Sequence, residues 1–273
     1  MPLPPLILVS NDDGINAPGI RALAHAMEMV GDVVVVAPDA QQSAVGHALT
    51  VSLPLRATRS DREKGLPGWA VSGTPADCVK LGVKRLLERL PDLIVSGINH
   101  GRNTAVSLIY SGTVSAATEG TVMGIPSIAF SLDNFSFDAN FDYAASVARW
   151  LAPRVLQHGL PRGTLLNVNI PDREFHQVKG TRLAPQGESY WDDVYEERLD
   201  PMGRPYYWLS GQNILLGPDQ SDEQLLSEGY VTITPIHYRL TDEPAMQALS
   251  AWDLESDRPL PDNGPSPPRE NPA

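Results

Sequence analysis

Leu6-Ile7-Leu8-Val9-Ser10 runs straight into Asn11-Asp12-Asp13-Gly14, and Val33-Val34-Val35-Val36-Ala37 follows after a stretch in which Ile20, Leu23, Ala24, Met27 and Val30 recur. Both apolar runs are short and continuous, the pattern of strands covered on both faces. The residues between them repeat at helical spacing, with Asn16 placed to cap that helix and Pro18 suited to its first turn. Strand, helix, strand in this order predicts a parallel sheet closed by a right-handed crossover. The acidic pair Asp12-Asp13 then lies at the carboxyl end of the first strand, the edge where open parallel sheets bind ligands.

Outward from this unit the pattern continues. Residues 51–58 and 69–72 read as a hairpin around the charged stretch 59–68. Thr74-Pro75-Ala76-Asp77 has the form of a capping box, so a helix is predicted from there to about Arg89. Strands are expected at 93–96, 125–131 and 165–170, a small-residue helix at 113–123 and an amphipathic helix at 143–158. After Pro171 the segments turn polar and irregular, with an aromatic cluster at Tyr206-Tyr207-Trp208; only 230–235 reads clearly as strand and 243–254 weakly as helix. The expected organisation is an α/β catalytic core over 1–170, an extension over 171–257, and a tail over 258–273 that six of the 25 prolines mark as disordered.

Composition narrows the function. The 273 residues carry 21 Lys+Arg against 33 Asp+Glu, a formal net charge of −12. That balance argues against a chain that grips long nucleic acid or an anionic membrane, since both need a basic face. A small anion is still accessible through a cation or a helix N-terminus. The single cysteine, Cys78, excludes an internal disulfide and fits a reducing cytoplasm. No apolar run approaches the length of a membrane span, and the opening residues, with no basic start and a short apolar stretch, are not expected to act as a signal peptide. G-x-x-x-x-G-K-[ST] and a post-strand G-x-G-x-x-G are both missing.

Three polar clusters are expected at strand carboxyl ends: Asn11-Asp12-Asp13, residues 39–43, and Ser96-Gly97-Ile98-Asn99. Adjacent carboxylates repel, and a hard divalent cation relieves that repulsion. Asp12, Asp13, Ser43 and Asn99 together offer two charges and two neutral oxygens. The plainer reading of the pair alone is a helix cap. A second signal is Tyr110-Ser111-Gly112-Thr113, which ends a Gly/Asn-rich loop and opens a helix, a seat for an anion or an ordinary hydroxyl cap. His47 and His100 lie in nearby loops and read as structural, His25 as a surface or core residue of the first helix, and Cys78 as core.

These motifs in this order resemble the SurE survival proteins, the stationary-phase 5′/3′-nucleotidases. Ser10-Asn11-Asp12-Asp13-Gly14 with Ala17-Pro18-Gly19-Ile20, Val36-Ala37-Pro38-Asp39 with Ser43, Gly73-Thr74-Pro75-Ala76-Asp77-Cys78-Val79, Ser96-Gly97-Ile98-Asn99, and Tyr110-Ser111-Gly112-Thr113 through Glu119-Gly120 carry the likeness. Strand pattern and resemblance together lead to a three-layer, Rossmann-like α/β fold: a mostly parallel sheet with helices on both faces and an irregular, β-rich C-terminal extension. The resemblance implies a metal-dependent phosphomonoesterase acting on nucleoside monophosphates through a metal-activated water. One Mg²⁺ or Mn²⁺ would sit on Asp12, Asp13, Ser43 and Asn99, and phosphate on Ser111, Gly112 and Thr113 with Asn103 nearby. It also implies homodimers or homotetramers that exchange C-terminal segments. One stretch departs from the family: Asn103-Thr104-Ala105-Val106-Ser107 has alanine and serine where glycine and aspartate are usual.

Two other chemistries use the same residues. An aspartyl-phosphate route wants Asp-x-Asp after the first strand, and the positions that would complete it are Gly14 and Ile15. A non-enzymatic metal and nucleotide sensor differs only in lacking turnover.

Overall fold

The computed structural model describes residues 3–60, 67–136, 138–252 and 254. The first five strands and two helices are β1 (Leu6–Ser10), α1 (Pro18–Glu28), β2 (Asp32–Pro38), β3 (Ala57–Ser60), β4 (Gly68–Val71), α2 (Pro75–Leu81) and β5 (Leu93–His100). They are followed by α3 (Gly112–Val122), β6 (Ser127–Leu132), α4 (Asp142–His158), β7 (Thr164–Ile170), β8 (Thr181–Leu183), β9 (Tyr190–Leu199), β10 (Pro205–Ile214), α5 (Asp222–Glu228) and β11 (Val231–His237). A nine-stranded sheet runs β3-β4-β2-β1-β5-β6-β7-β11-β8, and β9 and β10 form a sheet of their own. From β4 through β7 all neighbours are parallel. β3 and β11 run antiparallel to β4 and β7, which makes the sheet mixed.

The alternation of side chains along each strand builds the layers. Ile7 and Val9 join Val35, Leu93 and Val95 in the core under α1 and α4. Leu8, Val36 and Ile94 point the other way, against Cys78 and Val79 of α2 and Ala116 of α3. Successive residues of a strand face opposite sides, so a strand buried on both faces must be apolar throughout, as the opening run is.

The chain leaves β1 for β2 on one side and returns to its other side with β5. The order of the sheet reverses there, and a crevice opens between the two carboxyl ends. Asn11-Asp12-Asp13 and Asn99-His100 lie at those two ends.

Several local expectations change. The first helix is capped at Ala17 without a side-chain bond, not at Asn16, and Pro18 takes the first turn. Thr74 and Asp77 do make a reciprocal capping box. The helix they open leaves α geometry at Leu81 and runs on as a wide π turn over Gly82–Leu86. A Cβ on Gly82 would stand 2.9 Å from Leu8 Cδ1, so the chain is pressed against β1 at that point. The expected hairpin pairs β3 with β4, and most of its charged tip, 61–66, lies outside the described residues.

Beyond Pro171 the structure holds β8, β9 and β10 besides the expected strand. The two long strands pair over ten registers, and every residue of β9 is exposed. With no buried face, neither strand shows the alternation by which strands are read. Residues 239–273 group separately from the rest; within them a helix, α6 (Glu243–Leu249), is capped by Asp242. The tail over 258–273 lies outside the described residues. Among the described residues no helix is long and apolar enough to cross a membrane.

Candidate active site

A cleft of about 320 Å³ opens at the carboxyl edge of the sheet, and Asp12, Asp13, Ser43, Asn99, Asn103 and Ser111 all line it. Four separate segments supply them: the β1 end, the loop after β2, the β5 end with its following loop, and the start of α3.

Asp12 is buried, and Thr113 Oγ1 donates to its Oδ1 at 2.5 Å. Burial lifts its carboxyl to about 6 and the charge of Asp13 adds to this, while the Thr113 hydroxyl works against it. A Cβ on residue 112 would lie 2.6 Å from Asp12 Cβ and 2.9 Å from its Oδ2, so only glycine lets the helix start come this close. Asp13 accepts from Gln41 Nε2 at 3.3 Å through Oδ1. Its Oδ2 accepts from the His100 backbone N–H at 3.3 Å and lies 3.2 Å from His100 Nδ1. Asn99 directs its amide nitrogen to the backbone carbonyls of His100 and Gly101, at 3.1 and 2.8 Å. Its two N–H donors are thereby engaged, and the group it offers the cleft is its oxygen.

Ser43 is exposed on a loop that packing elements hold at several points. Gln42 N–H donates to the Asp12 carbonyl at 2.8 Å and Gly46 N–H to that of Tyr110 at 3.0 Å. His47 Nε2 lies 3.0 Å from Glu119 of α3, which also takes Lys80, and Thr50 N–H donates to Asp77 of α2. His47 therefore braces the loop instead of facing the cleft, in line with its structural reading. His25 is on the surface of α1, and Cys78 is buried with its thiol pushed far up by burial.

On the phosphate side, Ser111 caps α3 by accepting from Val114 N–H at 3.1 Å. The N–H groups of Gly112 and Thr113, in the first turn, have no intrahelical acceptor. Thr113 itself is buried and its hydroxyl is turned to Asp12, so Gly112 and Thr113 lie behind the cleft lining. Asn103 is fixed by a buried asparagine network. Its N–H donates to Asn169 Oδ1 at 2.8 Å, its carbonyl accepts from Asn167 Nδ2 at 2.7 Å, and its own Nδ2 donates to Ser131 Oγ at 2.9 Å.

Sequence reasoning did not single out Gln41, Arg102 or Phe135, which also line the cleft. The two asparagines beneath Asn103 carried a usable signal: they occupy alternate positions of an otherwise apolar strand. Arg102 and Phe135 carried none, because only the fold brings their loops together.

The donor set is all oxygen, two carboxylates with an amide and a hydroxyl, and it suits Mg²⁺ or Mn²⁺. Two carboxylates stand side by side at this edge of the cleft, and Gly112 leaves the room that the Asp12 side chain occupies. The residues present therefore fit a divalent cation.

The model of the survival protein SurE matches residues 7–193. The chain belongs to the SurE family. It is 46% identical to the 5′-nucleotidase SurE of Flavobacterium psychrophilum over 92% of this chain and 98% of that protein. The 5′-nucleotidase SurE of Geobacter sulfurreducens is likewise 46% identical, over 93% and 95%. The crystal structure of the SurE protein from Aquifex aeolicus superposes with a TM-score of 0.79 at 40% identity, covering 91% of this chain and 99% of that one.

Proposed function

We propose that this chain is a divalent-cation-dependent 5′/3′-nucleotidase that hydrolyses nucleoside monophosphates to nucleoside and phosphate. The observation that carries the reading is the Asp12–Asp13 pair at the mouth of β1, with Ser43 and Asn99 in the same cleft. The relatives named as 5′-nucleotidases support the substrate class.

Asp12, Asp13, Ser43 and Asn99 would hold the cation. When bound, Mg²⁺ or Mn²⁺ supplies Lewis-acid polarisation of a phosphoryl oxygen and a lowered pKa for water. The rest of the work belongs to the chain. Thr113 and Gly112 hold Asp12 in place, one by a hydrogen bond and one by the room it leaves. Ser111 and Asn103, which line the cleft, would steady the phosphoryl oxygens on which charge accumulates, with the N-terminal end of α3 behind them favouring negative charge. A proton leaving the attacking water has two carboxylates to receive it, and the contact of His100 Nδ1 with Asp13 Oδ2 holds that carboxylate in place.

The test is phosphate release from 5′-AMP with Mn²⁺ or Mg²⁺. Asp12→Asn is expected to cut turnover about 10²-fold or more with an unchanged circular dichroism spectrum, and chelation to abolish turnover reversibly. Full activity after either treatment overturns the mechanism. A labelled phospho-enzyme would instead favour the aspartyl-phosphate route, and binding without turnover the sensor.

For the assembly, we infer a homodimer or homotetramer that exchanges C-terminal segments, supported by the exposed hairpin β9–β10. We place the enzyme in the cytoplasm on the strength of its single, buried cysteine.

A further inference from the structure

Two aromatic side chains stand at the rim of the acidic cleft, both more than half exposed: Phe135 at 72% and Tyr110 at 62%. They come from different loops, Tyr110 from the turn that enters α3 and Phe135 from the loop between β6 and α4. The ring of Phe135 rests with its Cδ1–Cε1–Cζ edge on the backbone of Gly101. A Cβ there would fall 2.2, 2.6 and 2.7 Å from Cε1, Cδ1 and Cζ, and φ at Gly101 is +91°. The glycine thus makes a seat for the ring while most of the ring stays open.

The backbone on either side is tied down. Gly101 N–H donates to the carbonyls of Leu132 and Asn134, each at 2.9 Å. Asn134 Oδ1 accepts from Ser136 N–H at 2.7 Å, and Asn134 Nδ2 donates to Asp172 at 2.9 Å. Beside the ring, Arg102 is held by Glu223 at 3.3 Å and Asp133 at 3.6 Å. An apolar ring seated, open and rigidly placed at the mouth of a polar site is suited to a flat apolar partner.

We propose that Phe135, with Tyr110 as a second wall, is the stacking surface for the nucleobase of the substrate. The inference rests on the nucleotidase reading and deepens it. With the phosphate drawn to the Asp12–Asp13 end and α3, the base is the part of a nucleoside monophosphate that extends toward the rim. Stacking is tolerant of base identity because every base has a π face. The subsite therefore separates nucleotides from base-free phosphomonoesters and discriminates weakly among bases.

The experiment compares kcat/KM for 5′-AMP and for ribose 5-phosphate, with Mn²⁺, in the full chain and in Phe135→Ala and Phe135→Trp. The expected result is that Phe135→Ala lowers the ratio of the two values about tenfold, through KM for 5′-AMP, and that Phe135→Trp restores it. An unchanged ratio in Phe135→Ala overturns the proposal, as does an equal fall for both esters. A wild-type chain that cleaves both esters equally well overturns the stacking surface and leaves the nucleotidase standing. A chain that cleaves neither overturns both.

Discussion

Ala105 has φ +49°, in the left-handed region, and its N–H donates to Asp222 Oδ2 at 3.1 Å. An L side chain there costs about 1–2 kcal/mol, which glycine avoids. This gives a physical account of the departure noted in the sequence: the loop keeps a conformation suited to the family's usual glycine while carrying a methyl group. Ala105→Gly is therefore expected to raise stability by about 0.5–1 kcal/mol. The same change at a position of ordinary φ lowers it, so the sign of the shift in a urea melt is the test. At this scale, too, Thr113 takes a place no motif could assign. Its hydroxyl donates to Asp12 and is turned away from the cleft lining.

Among the elements, the loop that carries Ser43 is the informative one. It has no regular structure, yet a buried carboxylate from each of two helices grips it, Asp77 of α2 at Thr50 and Glu119 of α3 at His47. Burial pushes the Glu119 carboxyl up, and hydrogen bonds from His47 and Lys80 more than reverse this, leaving it below its ordinary value of 4.5. The opposing effects at Asp77 also sum to a lowered value. A carboxylate with a depressed folded-state pKa stabilises above its unfolded value and loses that contribution as pH falls through the folded one. Wild-type stability should thus decline as pH drops below about 4.5. In Glu119→Gln that part of the slope disappears, at a cost at pH 7 of about 2 kcal/mol. Parallel stability curves for the two proteins, from denaturant melts at pH 7 and pH 4, would refute the clamp.

Over the whole molecule, the segment after Pro171 does two things. It completes the main sheet: β11 pairs with β7 from Thr232 opposite Asn169 to His237 opposite Thr164, and β8 pairs with β11. It also holds the site loop in the same chain, because Asp222 accepts from Ala105, Ser189 from Val106, and Glu223 pairs with Arg102. The hairpin β9–β10 is left with its large side chains exposed, among them Trp191, Tyr195, Tyr207 and Trp208. Surfaces of that kind mark interfaces. If a second copy of this chain covers the hairpin, Trp208→Glu should lower the mass measured by light scattering to that of the monomer. An unchanged mass removes the hairpin from the interface.

What the sequence determined by itself was the parallel core and four candidate ligands, because both follow from local rules. A doubly covered strand must be uniformly apolar, and polar residues directly after such a strand must emerge at its carboxyl edge. Asp12, Asp13 and Asn99 could therefore be placed without seeing the fold. Tertiary structure alone decided the partners of those ligands, the rim of the cleft and the long hairpin. Thr113 meets Asp12 across 101 positions of chain, and Phe135 reaches the cleft only because β6 lies beside β5. The hairpin strands bury no face, so no periodicity announces them. Contacts between distant segments depend on how the layers close, and no local pattern encodes that closure.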